Sequence, residues 1–293
     1  VSLTERAPAK INLCLFLGPT RTSDGRHELV SVMQSLTLAD ELTLEPAPPG
    51  AERDEVVCAG VEGPNLAGAA LAAFRAATGW DAAPQRLTIV KRVPVAAGMG
   101  GGSGDAAAAL RLAARASGLG GDALLHELAT ALGADVPAQV RPGRALATGA
   151  GEHVERLSTS GPLGVLVLPG AGALSTAAVY READRQGLAR DATELRRLRA
   201  EVWRAAYGAD LPVEMLVNDL QPAALALVPE IGEALDAARA AGADMAMVSG
   251  SGPTALGLFL GPDGEERARA AAARLAARRP APQVAAPEPN WPA

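Results

Sequence analysis

The spacing of hydrophobic and polar residues along the 293-residue chain alternates between the two-residue period of strands and the 3.6-residue period of helices. Residues 7–17 form a nearly continuous apolar run of strand type, and 30–38, 40–45 and 56–61 read as further strands. Asn65 is placed to cap a helix over Leu66–Thr78, which Gly79 ends. A strand over 86–93 leads into a glycine-rich stretch, from which an alanine-rich helix over 103–117 emerges. Asp122 caps a helix over 123–132, closed by Gly133. Val136 precedes Pro137, which favours extended backbone and presents Asp135 from a stiff turn.

A strand over 144–148 and a turn over 149–152 come before a change of composition at 157–162. That change marks a boundary between a first domain, 1–157, and a second, 158–279. The second opens on a buried-type strand over 164–168 and continues with helices from Ser175, to Tyr207 and over 230–241. A strand–turn–strand hairpin over 245–260 precedes a charged, alanine-rich helix over 265–279. Residues 280–293 hold five prolines in fourteen positions and are expected to be loose.

Some interruptions of the pattern carry candidate chemistry. Lys10 and Asn12 break the first apolar strand two residues apart and so share one face, as a site or as a solvent-facing strand edge. Five of the seven residues from Gly98 to Gly104 are glycine. Glycines let successive N–H groups turn toward one point, and the free N–H groups of the following helix aim the same way, so the stretch suits an anion such as phosphate. No lysine follows the glycines, and Ser103 stands where a dinucleotide fingerprint needs its third glycine, so neither common phosphate motif is present. Gly250, Gly252 and Ala255 have that fingerprint's spacing but lead into a strand. Asp105, expected in the first turn of the helix, suits the helix dipole but would repel a phosphate unless a metal or a lysine intervened. His27 follows the turn at Asp24-Gly25, and Asp135 is either a presented functional group or an ordinary turn aspartate.

Composition narrows the classes. Net charge is −6, no basic block occurs and aromatic content is 3%, which argues against nucleic acid as a partner. The longest apolar runs fall short of a membrane span. Cys14 and Cys58 lie 44 residues apart, neither a disulfide framework nor a zinc spacing, so a reducing cytoplasm is the expected setting. Of 27 basic residues only Lys10 and Lys91 are lysine, which marks both as places needing a compact ammonium.

These pieces match a known family. Ala7 to Leu13 (APAKINL) is followed by Asp24 to Leu29 (DGRHEL), then by the glycine stretch from Pro94 to Ala107, Leu132 to Pro137 (LGADVP), Asn218-Asp219-Leu220 and Ser249 to Thr254 (SGSGPT). In this order, across almost the whole chain, they make the sequence resemble the GHMP kinases, and within them the branch whose acceptor is the cytidyl alcohol 4-diphosphocytidyl-2-C-methyl-D-erythritol. The resemblance implies an α+β fold of two domains. The N-terminal domain would be ribosomal-protein-S5-like, with a left-handed βαβ unit, and the C-terminal domain ferredoxin-like. It implies ATP and Mg2+ as cofactors, with the nucleotide on Pro94, Gly98, Met99, Gly100, Gly101, Gly102, Ser103, Gly104 and Asp105. Lys10 and Asp135 would flank the acceptor hydroxyl as the catalytic pair. Asn12, Arg26, His27, Thr176 and Tyr180 would hold the small-molecule cytidyl substrate, His27 reading the cytosine edge. Metal ligands are not assigned, and the chain would act as a monomer or homodimer. Two positions depart from the family: Gly104 replaces a second serine, removing a hydroxyl near the phosphates, and Arg26 replaces a tyrosine that packs on the base, where a guanidinium would stack instead. A GHMP kinase for mevalonate or homoserine, and an inactive nucleotide-binding homologue, are the competing readings.

Overall fold

The computed structural model describes residues 2–208 and 211–291. Strands β1 (Leu3–Thr20) and β2 (His27–Pro46) form a long antiparallel pair. The pattern read β2 as two strands, yet it runs on through Ala39 and Asp40. Asp40 is fully buried there because its carboxylate accepts the backbone N–H groups of Arg92 and Val93 and pairs with Lys91, so the polar residue does not end the strand. β3 (Glu55–Cys58) and β4 (Gln85–Val90) are parallel, joined by α1 (Leu66–Thr78). Then come α2 (Gly101–Ser117), α3 (Asp122–Leu132), α4 (Val136–Val140), β5 (Arg144–Gly149) and β6 (His153–Arg156). β1 lies along one edge of β2 while β4 and β5 divide the other, within a sheet of order β3-β4-β2-β5-β6.

Helices α1 to α3 cover one face of this sheet. Ala106 to Ala109 and Ala113 are all buried in that layer with Phe74, Leu42 and Leu87, so α2 lies close against both the sheet and α1. α2 starts two residues earlier than the pattern suggested, which makes Gly101, Gly102 and Ser103 its first turn. Val136 is helical rather than extended: it opens α4, with Pro137 in the first turn, where a missing N–H costs no hydrogen bond. Asp135 therefore occupies the N-cap position.

The second sheet begins with β7 (Leu163–Leu168). α5 (Thr176–Gln186), α6 (Ala192–Gly208), α7 (Gln221–Leu227) and α8 (Glu230–Ala240) follow. β8 (Met245–Val248) and β9 (Ala255–Leu260) form the expected hairpin, and α9 (Gly264–Arg274) ends earlier than 279. With β10 (Gln283–Ala285) the strands lie antiparallel in the order β10-β7-β9-β8, and the succession β-α-β-β-α-β is ferredoxin-like. Ile11, Phe16 and Val32 of the first sheet share a buried cluster with Val165, Met247 and Leu258 of the second.

Residues 280–291 of the proline-rich segment are not loose, and 292–293 lie outside the described residues. Between its prolines, Gln283–Ala285 is free to pair and takes the open edge of β7. Beyond it, Glu288 bonds Arg6, Asn290 accepts from the Arg144 N–H and donates to the Leu157 carbonyl, and Trp291 lies against the Arg111 guanidinium. An available edge and three polar anchors outweigh the composition.

Candidate active site

Lys10 and Asn12 sit between two irregularities in the β1–β2 register, at Pro8/Lys10 and Asn12/Cys14. Such irregularities re-aim side chains, and here both polar groups turn inward and are buried. Lys10 Nζ donates to Asn12 Oδ1 at 2.9 Å and pairs with Asp135 Oδ2 at 3.1 Å. Asn12 Nδ2 donates in turn to Ser31 Oγ at 2.7 Å, and that hydroxyl to the Cys14 carbonyl at 2.6 Å. The ammonium is thus held by a fixed chain of hydrogen bonds, and Asp135 arrives from the N-terminus of α4. The alternative of a solvent-facing strand edge is excluded by the burial of Lys10, 5% exposed.

The glycine stretch lies beside this pair. Gly98 and Gly100 have φ of 72° and 65°, the left-handed region. A Cβ on Gly98 would lie 2.3 Å from the Ser249 carbonyl oxygen, and one on Gly100 would lie 2.8 Å from Lys10 Cγ. The second glycine turn, 249–252, is therefore seated on the first, with Ser249 Oγ donating to the Gly98 carbonyl at 3.0 Å. Asn218 fixes that second turn by donating to the carbonyls of Val248 and Gly250. Left-handed backbone costs a residue with a side chain about 1–2 kcal/mol before any clash. Gly98→Ala is accordingly expected to lower Tm in thermal melting. An unchanged Tm would mean that the two turns need not dock.

Both turns, Lys10, Asp135, Pro94, Met99, Gly101, Gly102, Ser103, Asp105, Thr176 and Tyr180 line one cleft of about 590 Å3 between the two sheets. Thr176 Oγ1 and Ser251 Oγ share a hydrogen bond of 3.0 Å on its lining. Tyr180 stands beside the His27 ring, centroids 5.5 Å apart, and burial, helped by the negative charge of Asp135, pushes its phenol up to about 12. His27 itself is buried behind Tyr180, with Nδ1 2.8 Å from the Gly18 carbonyl and Nε2 2.9 Å from Asp184 Oδ1.

Arg26, His27 and Gly104 lie outside the cleft lining, and Asp105 lies on it but not in the first helical turn where the sequence suggested it. Arg26 is tied to Asp24 at 2.8 Å and lies outside the cleft lining, so its guanidinium offers no stacking face there. Gly104 faces the body of the protein, where a Cβ would lie 3.0 Å from the Pro8 carbonyl oxygen, so a side chain there would not enter the cleft. Asp105 lies past the first turn of α2 and pairs with Lys91 at 2.7 Å. The lysine that had to intervene is Lys91. Burial works against its charge, but the hydrogen bonds it donates to Asp105 and Asp40 outweigh that and raise its pKa.

Comparison with known proteins decides the family. A model described as "GHMP kinases N terminal domain" matches residues 65–143, and one described as "GHMP kinases C terminal" matches 187–281. A 4-diphosphocytidyl-2-C-methyl-D-erythritol kinase of Streptomyces coelicolor is 41% identical over 263 residues, 87% of this chain and 86% of that one. One of Thermobifida fusca is 43% identical over 267 residues, 86% of this chain and 85% of that one. The chain belongs to the 4-diphosphocytidyl-2-C-methyl-D-erythritol kinase family of GHMP kinases. A crystal structure of a 4-(cytidine 5'-diphospho)-2C-methyl-D-erythritol kinase has a TM-score of 0.75 at 32% identity, covering 97% of this chain and 98% of that one. A homoserine kinase from Cytophaga hutchinsonii, 16% identical with a TM-score of 0.63, shares the fold.

The cleft lining also includes residues that the sequence did not announce: Cys58, Val61, Pro64, Asn65 and Leu66, an apolar group with one amide. These residues come from a strand end, a loop and a helix start, and none carries a motif. Cys14 and Cys58 are free thiols. Among the described residues, no group of three His, Cys, Asp or Glu side chains is placed to hold a metal ion, and no helix is long and apolar enough to cross a membrane.

Proposed function

We propose that the chain transfers the γ-phosphoryl group of ATP to the 2-hydroxyl of 4-diphosphocytidyl-2-C-methyl-D-erythritol, giving the 2-phosphate and ADP, as a cytoplasmic step toward isoprenoid precursors. The observation that carries the reading is the Lys10–Asp135 pair facing the glycine-lined start of α2 in one cleft. Phosphoryl transfer needs chiefly positioning and neutralisation of charge. Asp135 Oδ2 is engaged by Lys10, leaving Oδ1 to take the proton of the acceptor hydroxyl. Lys10, held by Asn12, neutralises charge on the group in transit. The N–H groups of Gly101, Gly102 and Ser103 face the phosphates as the free first turn of a helix.

The cleft lining at Cys58, Val61, Pro64 and Leu66, with Asn65, suits a purine base. Mg2+ binds phosphate oxygens and water with few protein ligands, so the single hydroxyl of Ser103 in the cleft fits a metal carried in with ATP. When bound, Mg2+ supplies charge neutralisation on the β- and γ-phosphates. At the other end Tyr180, backed by His27, gives the cytosine a stacking face.

The test is ADP release with Mg-ATP and the cytidyl substrate offered beside mevalonate and homoserine. Turnover with the cytidyl compound alone is expected. Turnover with either of the others would keep the kinase chemistry and overturn the cytidyl assignment. Base–aromatic stacking contributes about 1–3 kcal/mol, so Tyr180→Ala is expected to raise the KM for the cytidyl substrate roughly 10-fold and leave that for ATP unchanged. Equal KM values in variant and parent would place the base elsewhere.

A further inference from the structure

Gln139, on the last turn of α4, is 1% exposed. Its Nε2 donates to the Gly100 carbonyl at 2.9 Å. That same carbonyl accepts the Gly104 N–H at 2.8 Å, the first hydrogen bond of α2. Its Oε1 is buried without a protein partner. A methionine or leucine would fill the site without burying an unpaired amide oxygen, so packing alone does not explain this side chain. The backbone of Gln139 is held too, since its carbonyl accepts Arg111 Nη1 at 2.7 Å. The amide also needs its neighbours to be glycine: a Cβ on Gly100 would lie 3.0 Å from Nε2, and one on Gly104 3.4 Å.

The peptide that joins Gly100 to Gly101 is planar and trans, so its C=O and its N–H point in opposite directions. Two donors holding the carbonyl toward the protein body therefore turn the Gly101 N–H toward the cleft. Gly100, Gly101 and Gly102 follow one another, and glycine offers little resistance to rotation of that plane. Rotation would put a carbonyl oxygen where a phosphate oxygen has to sit. We infer that Gln139 is a positioning residue, clamping the Gly100 carbonyl so that the loop presents N–H groups and no carbonyl to the triphosphate. The inference rests on reading the cleft as the ATP site. It also ties Asp135 and the phosphate loop to opposite ends of one short helix.

The test uses the full chain with Gln139→Met, which keeps the length and removes the amide. Losing one directed hydrogen bond at the loop is expected to weaken the affinity for ATP about 10-fold by calorimetry. Binding of adenosine, which lacks phosphates, is expected to stay as in the parent, as are Tm and the KM for the cytidyl substrate. Gln139→Glu is the second variant. A carboxylate faces the carbonyl unfavourably and a protonated carboxyl can donate to it, so its ATP affinity should fall more steeply with rising pH than that of the parent. Parental ATP affinity in Gln139→Met, or parental affinity at every pH in Gln139→Glu, overturns the inference alone. Equal weakening of adenosine and ATP also overturns it, because the defect would then not lie at the phosphates. A parent protein that binds no ATP overturns the reading of the cleft and the inference with it.

Discussion

Asp135→Asn is expected to lower kcat about 10²- to 10⁴-fold, the usual contribution of a positioned acid–base group, while ATP affinity stays within a few-fold of the parent. Asparagine keeps the shape but cannot take the hydroxyl proton. It also leaves the Lys10 ammonium without its carboxylate partner at 3.1 Å. Folding should be little affected, because the Asp135 side chain is 35% exposed and serves α4 only from its N-cap position, where it makes no side-chain capping bond. ADP release under saturating substrates and ATP calorimetry separate the two effects. Near-normal kcat would remove Asp135 from the chemistry and leave it as an electrostatic partner of Lys10.

Lys10→Arg should be nearly as damaging although it keeps the charge. The stem of Lys10 is packed against Gly100, where a Cβ would lie only 2.8 Å from Cγ and 3.1 Å from Cε. A planar guanidinium is longer and wider than this space, and it cannot reproduce the ammonium's bonds to Asn12 and Asp135 together. Losing a group aimed at developing charge costs about 10²- to 10³-fold in kcat. Overpacking at a buried site adds about 1–3 kcal/mol of destabilisation, which should appear as a lower Tm. Comparing kcat and Tm of Lys10→Arg with those of Lys10→Met distinguishes misplaced charge from missing charge. An arginine variant with parental kcat would show that compactness of the cation is not required.

Most strands, the helix over Leu66–Thr78 and the hairpin of β8 and β9 were legible because each is strongly patterned. α4 and α7 were not, since five and seven residues hold too little of a helical period, and β6 (HVER) carries a single apolar residue. β10 was hidden for another reason: what makes Gln283–Ala285 a strand is the open edge of β7, more than a hundred positions earlier. Lys10, Asn12 and the glycines stood out because polar or small residues interrupted otherwise regular runs. Gln139 did not, because a glutamine on a short helix looks like surface until Gly100 is placed beside it. Arg26 and Gly104 looked meaningful as departures from a family pattern, but a pattern position does not say which way a side chain points. At Arg26 the nearby Asp24 carboxylate settles that, and at Gly104 the close Pro8 carbonyl does.

Arg6 and Glu288 meet in an ion pair at 2.8 Å although they stand near opposite ends of the sequence. Segments that already touch can be joined by a short linker and the chain reopened elsewhere. The exposed turn at Pro49-Gly50, between β2 and β3 and away from the cleft lining, offers a place for the new ends. In such a circular permutant Arg6 and Glu288 would become sequence neighbours. The anchoring of β10 and Trp291 would then be made locally rather than across the length of the chain.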